Sequence, residues 1–344
     1  MPLSYNPVFA LIGISLIILV TIDVVATNTT QIGEGTLTKF WQQTICYLFF
    51  KAYKHIRNRS VLVWSGAFIV LGMVLIWILL LWAGWIAIFC SGENAIINSA
   101  DGQPADFWAR VYFAGFSISG LGTGDYIPQE AYWQVLTAIA SLNGLLLTSL
   151  IIGFVIPIAQ AEAHRRRIAL TIFYTGKTDL ELLLNTWNPS RNIVLEQLLN
   201  DLISELIKLD QKHASFPFLH RFSNYRSKES VAIAIATLDE ALTIAKLGMK
   251  DVYPQHYCLA RQAISGYLAS VKTIGLKPAK NIPPVPDLNI LRQADLPVVS
   301  DRLWLERLET VEKRRRYLLA LVEQSGWSWK EVVSRPKGLA KRSQ

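Results

Sequence analysis

The chain of 344 residues is 51% hydrophobic and only 17% charged, with a mean hydropathy of +0.29. It is too apolar for an ordinary soluble protein and too charged to lie in a bilayer throughout, so two parts are expected. The net charge of +8 does not argue for nucleic acid, because Lys and Arg cluster beside apolar runs where the positive-inside rule accounts for them.

From Pro7 to Ala26 the sequence is nearly unbroken apolar, close to the ~20 residues a spanning helix needs. The preceding MPLSYN lacks the basic region of a cleavable signal, so a first membrane span is expected. Asp23, near the inner end of that span, reads as an interfacial residue that finds a basic neighbour rather than as a functional acid. Between Asn28 and Ser60, Leu37, Phe40, Trp41, Ile45, Leu48 and Phe49 recur at helical spacing, with Lys39, Lys51, Lys54, Arg57 and Arg59 toward the other side. That pattern suits a helix lying on the membrane surface. A second span follows from Val61 to Cys90, longer than a straight crossing requires, so it should tilt. Ser91 to Pro104 is a polar turn region with acids and no Lys or Arg, and should face outside.

Asp106 to Pro128 reads DFWARVYFAGFSISGLGTGDYIP. Its first half is acid-led, aromatic-rich and free of proline, which predicts a short helix ending near Ser119. In the second half Gly120, Gly122 and Gly124 alternate with Leu121 and Thr123. Glycine at every second position lets the backbone visit φ > 0 and turn successive carbonyls the same way. Rings of such carbonyls are how cation filters replace an ion's hydration shell.

At these residues the chain resembles the pore-loop cation channels of the potassium-channel superfamily, in their small two-helix form. The family pattern Thr-Val-Gly-Tyr-Gly-Asp falls on Gly120, Leu121, Gly122, Thr123, Gly124 and Asp125. Trp108, Tyr112, Phe113 and Ser119 fall on the pore helix. The resemblance implies a homotetramer, a carbonyl-lined filter, a permeant monovalent cation (potassium, and sodium beside it) with no other cofactor or metal, and no catalytic residues. Gly120 stands where the family has threonine and Thr123 where it has an aromatic brace, so weaker discrimination of potassium from sodium is implied.

Trp133 to Ala159 makes a third span, ended by His164, Arg165, Arg166 and Arg167, which read as a topological anchor with contact to anionic lipid as the rival. Thr137, Ser141, Thr148, Ile152 and Val155 form one helical stripe that either lines a cavity or packs helices. Gly144 and Gly153 are candidate hinges, with close packing as the equal alternative. The expected fold is an all-α membrane protein with three transmembrane helices, a re-entrant pore helix and filter loop, and a helical soluble C-terminal domain. Its divisions would be 1–60, 61–167 and 168–344, with the N-terminus outside the plasma (inner) membrane and the C-terminal domain cytoplasmic.

Past Ile168 capping signals place helices over Thr178 to Trp187, Ser190 to Ala214, Ser227 to Leu247, Pro254 to Ile274 and Ser300 to Gln324. Lys277 to Val299, with five prolines, reads as an extended linker. Arg314, Arg315 and Arg316 read as a solvated face paired along their own helix with Glu306, Glu309 and Glu312. His213, His220 and His256 lack a ligand-like spacing, and Cys46, Cys90 and Cys258 form no Cys-x-x-Cys pair, so neither a metal site, a disulfide framework nor acid-base catalysis is indicated. A cation channel is the leading reading, with membrane lipid as the other partner and no nucleic acid. A membrane-anchored signalling or scaffold protein is the alternative, and the glycine-alternating loop between two spans speaks against it.

Overall fold

The structure is a computed structural model that describes residues 5–29, 35–56, 58–186, 193–250 and 255–333. Its long helices are α1 Pro7–Asn28, α2 Thr36–Ile56, α3 Arg59–Cys90 and α5 Ala131–Thr175, with the short α4 Phe107–Ser119 between the last two. Helices α1, α3 and α5 are each long and apolar enough to cross a membrane. The third runs 16 residues past the expected end at Ala159, because nothing from Gln160 to Thr175 breaks a helix.

Contacts divide the chain into two compact units: Met1–Tyr47 with Ala67–Pro157, and Leu48–Gly66 with Ile158–Gln344. The first span joins the pore segment because α1 and α3 cross at paired glycines. A Cβ built on Gly13 would lie 2.5 Å from the Gly84 carbonyl oxygen. Asp23 is the second tie. It is buried, and its partners are not basic: one oxygen accepts from the Leu37 N–H at 2.8 Å, the other from the Thr38 hydroxyl at 2.7 Å and the Trp77 indole at 2.9 Å. The orphan donors at the start of α2 take the place of the expected cation. Trp77 in turn packs edge-on against Phe154 of α5, with ring centroids 5.0 Å apart.

The polar turn after α3 holds an unanticipated strand. β1 Ile96–Asn98 pairs antiparallel with β2 Tyr126–Pro128, with Ile97 opposite Ile127. Three residues per strand leave too little alternation to read from sequence.

The second unit contains α6 Asp179–Thr186, α7 Ile193–Ser215, α8 Val231–Thr243, α9 Gln255–Thr273, α10 Asn289–Gln293, α11 Asp301–Glu309 and α12 Glu312–Gln324. The expected ends at Trp187, Ser190 and Pro254, like Arg57, lie outside the described residues. Leu199, Leu202, Leu206 and Leu209 form a buried stripe on α7, which packs along α9. Every residue of α8 is buried.

Five expectations for this unit are corrected. The helix expected from Ser227 starts at Val231, after a 3-10 turn, and ends in a π turn over Ile244–Gly248. Ser300 to Gln324 is two helices, parted where the Thr310 and Val311 N–H groups close back on Arg307 and Leu308. Lys277 to Val299 is packed rather than a free linker, with Leu288, Leu291 and Leu296 buried and α10 inside it. Arg314 and Arg315 do not face solvent: they bond Asp239 and Glu240 of α8 at 2.5 and 2.6 Å, and Arg315 also donates to the Pro284 carbonyl at 2.6 Å. Only Arg316 keeps an intrahelical pair, with Glu312. A charge buried among apolar side chains needs a partner, and α8 supplies two carboxylates. Arg59, expected at the membrane surface, instead donates to the carbonyls of Asn224 and Gly326 at 2.9 and 2.7 Å within the same unit.

Candidate pore loop

The loop is launched by α4. Asp106 caps its start, accepting from the Ala109 N–H at 2.7 Å. At its end the Gly120 N–H bonds the Ser117 carbonyl and the Leu121 N–H reaches back to the Phe116 carbonyl at 3.0 Å. These two bonds make a Schellman closure with Gly120 left-handed at φ 71°. The first glycine of the loop is therefore also the residue that stops the helix.

From there φ alternates in sign. Gly120, Gly122 and Gly124 have φ of +71°, +61° and +82°, whereas the single described non-glycine with positive φ is Asp295, so Leu121 and Thr123 are negative. Such alternation turns successive peptide planes to a common side, and only glycine adopts the positive positions freely. Residues Gly120 to Asp125 are all exposed, Leu121 by 71%, and a Cβ built on any of the three glycines meets nothing within 4 Å.

The residue after the loop is held from two directions. The Asp125 carbonyl accepts from the Ser99 N–H at 2.9 Å and hydroxyl at 3.0 Å. Its carboxylate accepts from the Tyr112 hydroxyl at the long distance of 3.4 Å. Tyr112 is set edge-on against Phe116 and Tyr126. Phe113 is buried against Phe89 and Phe116, whereas Trp108 is 73% exposed and Ser119 turns its hydroxyl onto the Phe116 carbonyl. Arg110 was missed in the sequence. It gathers four carbonyls, those of Ala105, Phe89, Gly92 and Glu93, and so ties α4 to the end of α3. A lone arginine in an apolar helix carried the available signal, since a buried guanidinium must find acceptors.

On α5, Ser141 bonds the Ser117 carbonyl at 2.8 Å and Gly144 abuts the Ile118 backbone so closely that no Cβ fits. Gly144 is therefore a position of close packing. Thr137 and Thr148 bond back to their own helix, at Trp133 and Gly144, and Ile152 is exposed while Val155 is half-buried. Gly153 is open, its nearest neighbour being the Asn28 side chain at 3.6 Å from a built Cβ. Pro157 lies inside α5 four residues later and has no N–H to give the Gly153 carbonyl.

The basic run past this helix segment divides. His164 and Arg165 are buried, the former 3.0 Å from Glu205 and the latter 2.6 Å from Glu162, which withdraws them from lipid. Arg166 pairs with Glu229 at 2.8 Å and Arg167 with Glu205. Among the described residues no three His, Cys, Asp or Glu side chains converge as metal ligands. Chemically the loop offers carbonyl oxygens and one carboxylate, all negative toward a passing ion.

A family model described as "Ion channel" matches residues 67–160. The "Uncharacterized membrane protein YdjJ" of Bacillus subtilis (strain 168) is 32% identical over 275 residues, which is 79% of this chain and 81% of that protein. No solved structure matches.

Proposed function

Because this chain belongs to the ion-channel family with a two-helix, potassium-channel-like pore, we propose that four copies surround one pore and conduct monovalent cations through Gly120 to Asp125. One loop per chain makes assembly a requirement, since a single strand of carbonyls cannot enclose a dehydrated ion. The alternating φ signs over Gly120 to Gly124 carry this reading, because a membrane anchor has no use for them.

In the assembly Asp125 forms an acidic ring at the outer mouth, steadied by Tyr112, and concentrates cations. Potassium is the principal ion, with sodium discriminated less sharply than in relatives that keep a threonine at position 120 and an aromatic at position 123. Thr137, Thr148, Ile152 and Val155 line the cavity below the filter. Gly153 with Pro157 is the hinge, since the freed carbonyl weakens α5 there. The N-terminus lies outside the plasma membrane, the C-terminal unit is cytoplasmic, and Arg166 and Arg167 lie nearest to anionic headgroups.

Reversal potentials of the reconstituted protein under potassium, sodium and chloride gradients test this. A cation-selective current with measurable sodium permeability is expected. Chloride permeation would end the carbonyl-filter reading, ideal potassium selectivity would end the weakened-discrimination reading, and absence of conductance would favour the membrane-anchored scaffold.

A further inference from the structure

The start of α3 and the part of α5 beyond Pro157 both belong to the second unit. Among the described residues no hydrogen bond or ion pair runs directly between residues 59–66 and 158–167; they meet instead through one short loop, Phe222 to Asn224. On the α3 side, Arg59 donates its Nε to the Asn224 carbonyl at 2.9 Å. Its terminal nitrogens donate to the carbonyls of Gly326 and Ser325 at 2.7 and 3.2 Å, with the guanidinium 3.2 Å from the centre of the Trp327 ring. About two turns further along α3, a Cβ built on Gly66 would stand 3.0 Å from the Phe222 ring, so that ring lies against bare helix backbone. On the α5 side, the Asn224 amide donates to one Glu162 oxygen at 2.9 Å, and the other accepts from Arg165 at 2.6 Å. Arg165 also reaches the Phe222 carbonyl at 3.4 Å.

Asn224 thus holds α3 with its backbone and α5 with its side chain, whereas Phe222 holds α3 with its ring and α5 with its carbonyl. The attachment points matter as much as the bonds. Arg59 is the first residue of α3, and Glu162 stands five residues past Pro157, where α5 lacks a backbone hydrogen bond and is weakest in bending. We propose that Phe222 to Asn224 is a clasp through which the second unit sets the gating of the pore, with Asn224 as its positioning residue. The inference rests on the pore reading above. With the clasp closed, a bend at Pro157 must carry the start of α3 along with α5; with it undone, α5 bends alone.

The test is amide hydrogen exchange of the full chain in detergent, read by mass spectrometry, beside single-channel recording. Asn224→Asp replaces the amide donor by a carboxylate facing Glu162. Exchange is expected to quicken about tenfold or more in residues 59–66 and 158–167 together. Adding Glu162→Gln, which exchanges donor and acceptor across the pair, should return both segments toward wild-type rates. Asn224→Ala, which adds no charge, should loosen the same two segments, and Tyr225→Ala, in the same loop but with a side chain 66% exposed, should loosen neither. In recordings, Asn224→Asp should shift the open probability about tenfold while the reversal potential stays, and the double variant should reverse the shift. Exchange unchanged in either helix, or no rescue by Glu162→Gln, overturns the clasp, as does an unchanged open probability in a conducting protein. If the wild type passes no current the pore reading falls, and the exchange measurement alone decides whether Asn224 couples the two helices.

Discussion

At Gly120 one backbone conformation serves two ends, stopping α4 and opening the loop, and both depend on φ 71°. The family pattern places threonine at this position, and a threonine here would add one hydroxyl per protomer. A β-branched residue in the left-handed region costs about 1–3 kcal/mol, so Gly120→Thr strains each protomer even though its Cβ would meet no neighbour. Thr123 has negative φ and accepts any side chain. We expect Thr123→Tyr alone to raise potassium preference, and the double variant with Gly120→Thr to melt lower than the single one. A double variant as stable as Thr123→Tyr, and more selective in bi-ionic recordings, would contradict this.

At the scale of elements, the continuation of α5 is clamped to α7 by one carboxylate. Glu205 receives His164, Arg167 and Lys208. Burial pushes its carboxyl up, but the hydrogen bonds from Lys208 and Arg167 and the charges of Arg167 and His164 outweigh it and hold the group at about 2 against 4.5. A carboxyl depressed by folding contributes stability that is fully present above about 4.5 and is lost as pH falls toward 2. The melting temperature of the full chain in detergent should therefore fall across that window. Glu205→Gln should flatten that part of the profile and cost about 1–3 kcal/mol at neutral pH. An unchanged acid limb in the variant would show that the clamp does not titrate.

For the whole molecule, three helices are long and apolar enough to span a membrane, and three crossings, as proposed above, would put the two ends of the chain on opposite sides. The acidic turn from Ser91 to Pro104 lacks Lys and Arg, whereas Lys51 to Arg59 and Arg165 to Arg167 flank the other ends of the spans. Reporter fusions at Asn98 and after Gln344 are expected to give opposite sidedness, outside for the first and inside for the second. The same compartment for both would exclude three crossings.

The sequence by itself determined the features that rest on local chemistry: three apolar runs of spanning length, an acid-capped helix ending at Ser119, and glycines spaced so that φ can alternate. Each is a property of neighbouring residues, and neighbours in sequence remain neighbours in the fold. Only the tertiary structure decided who partners the charges. Asp23 was read toward a cation and found backbone and indole donors; Arg314 and Arg315 were read toward solvent and found the carboxylates of α8. The same holds for Gly144, whose packing against Ile118 comes from a helix 13 residues long that no spacing along α5 reveals. A buried charge or a close backbone approach is satisfied by whatever the fold brings beside it, and residues 75 positions apart, as Glu240 and Arg315 are, share no pattern that a single sequence displays.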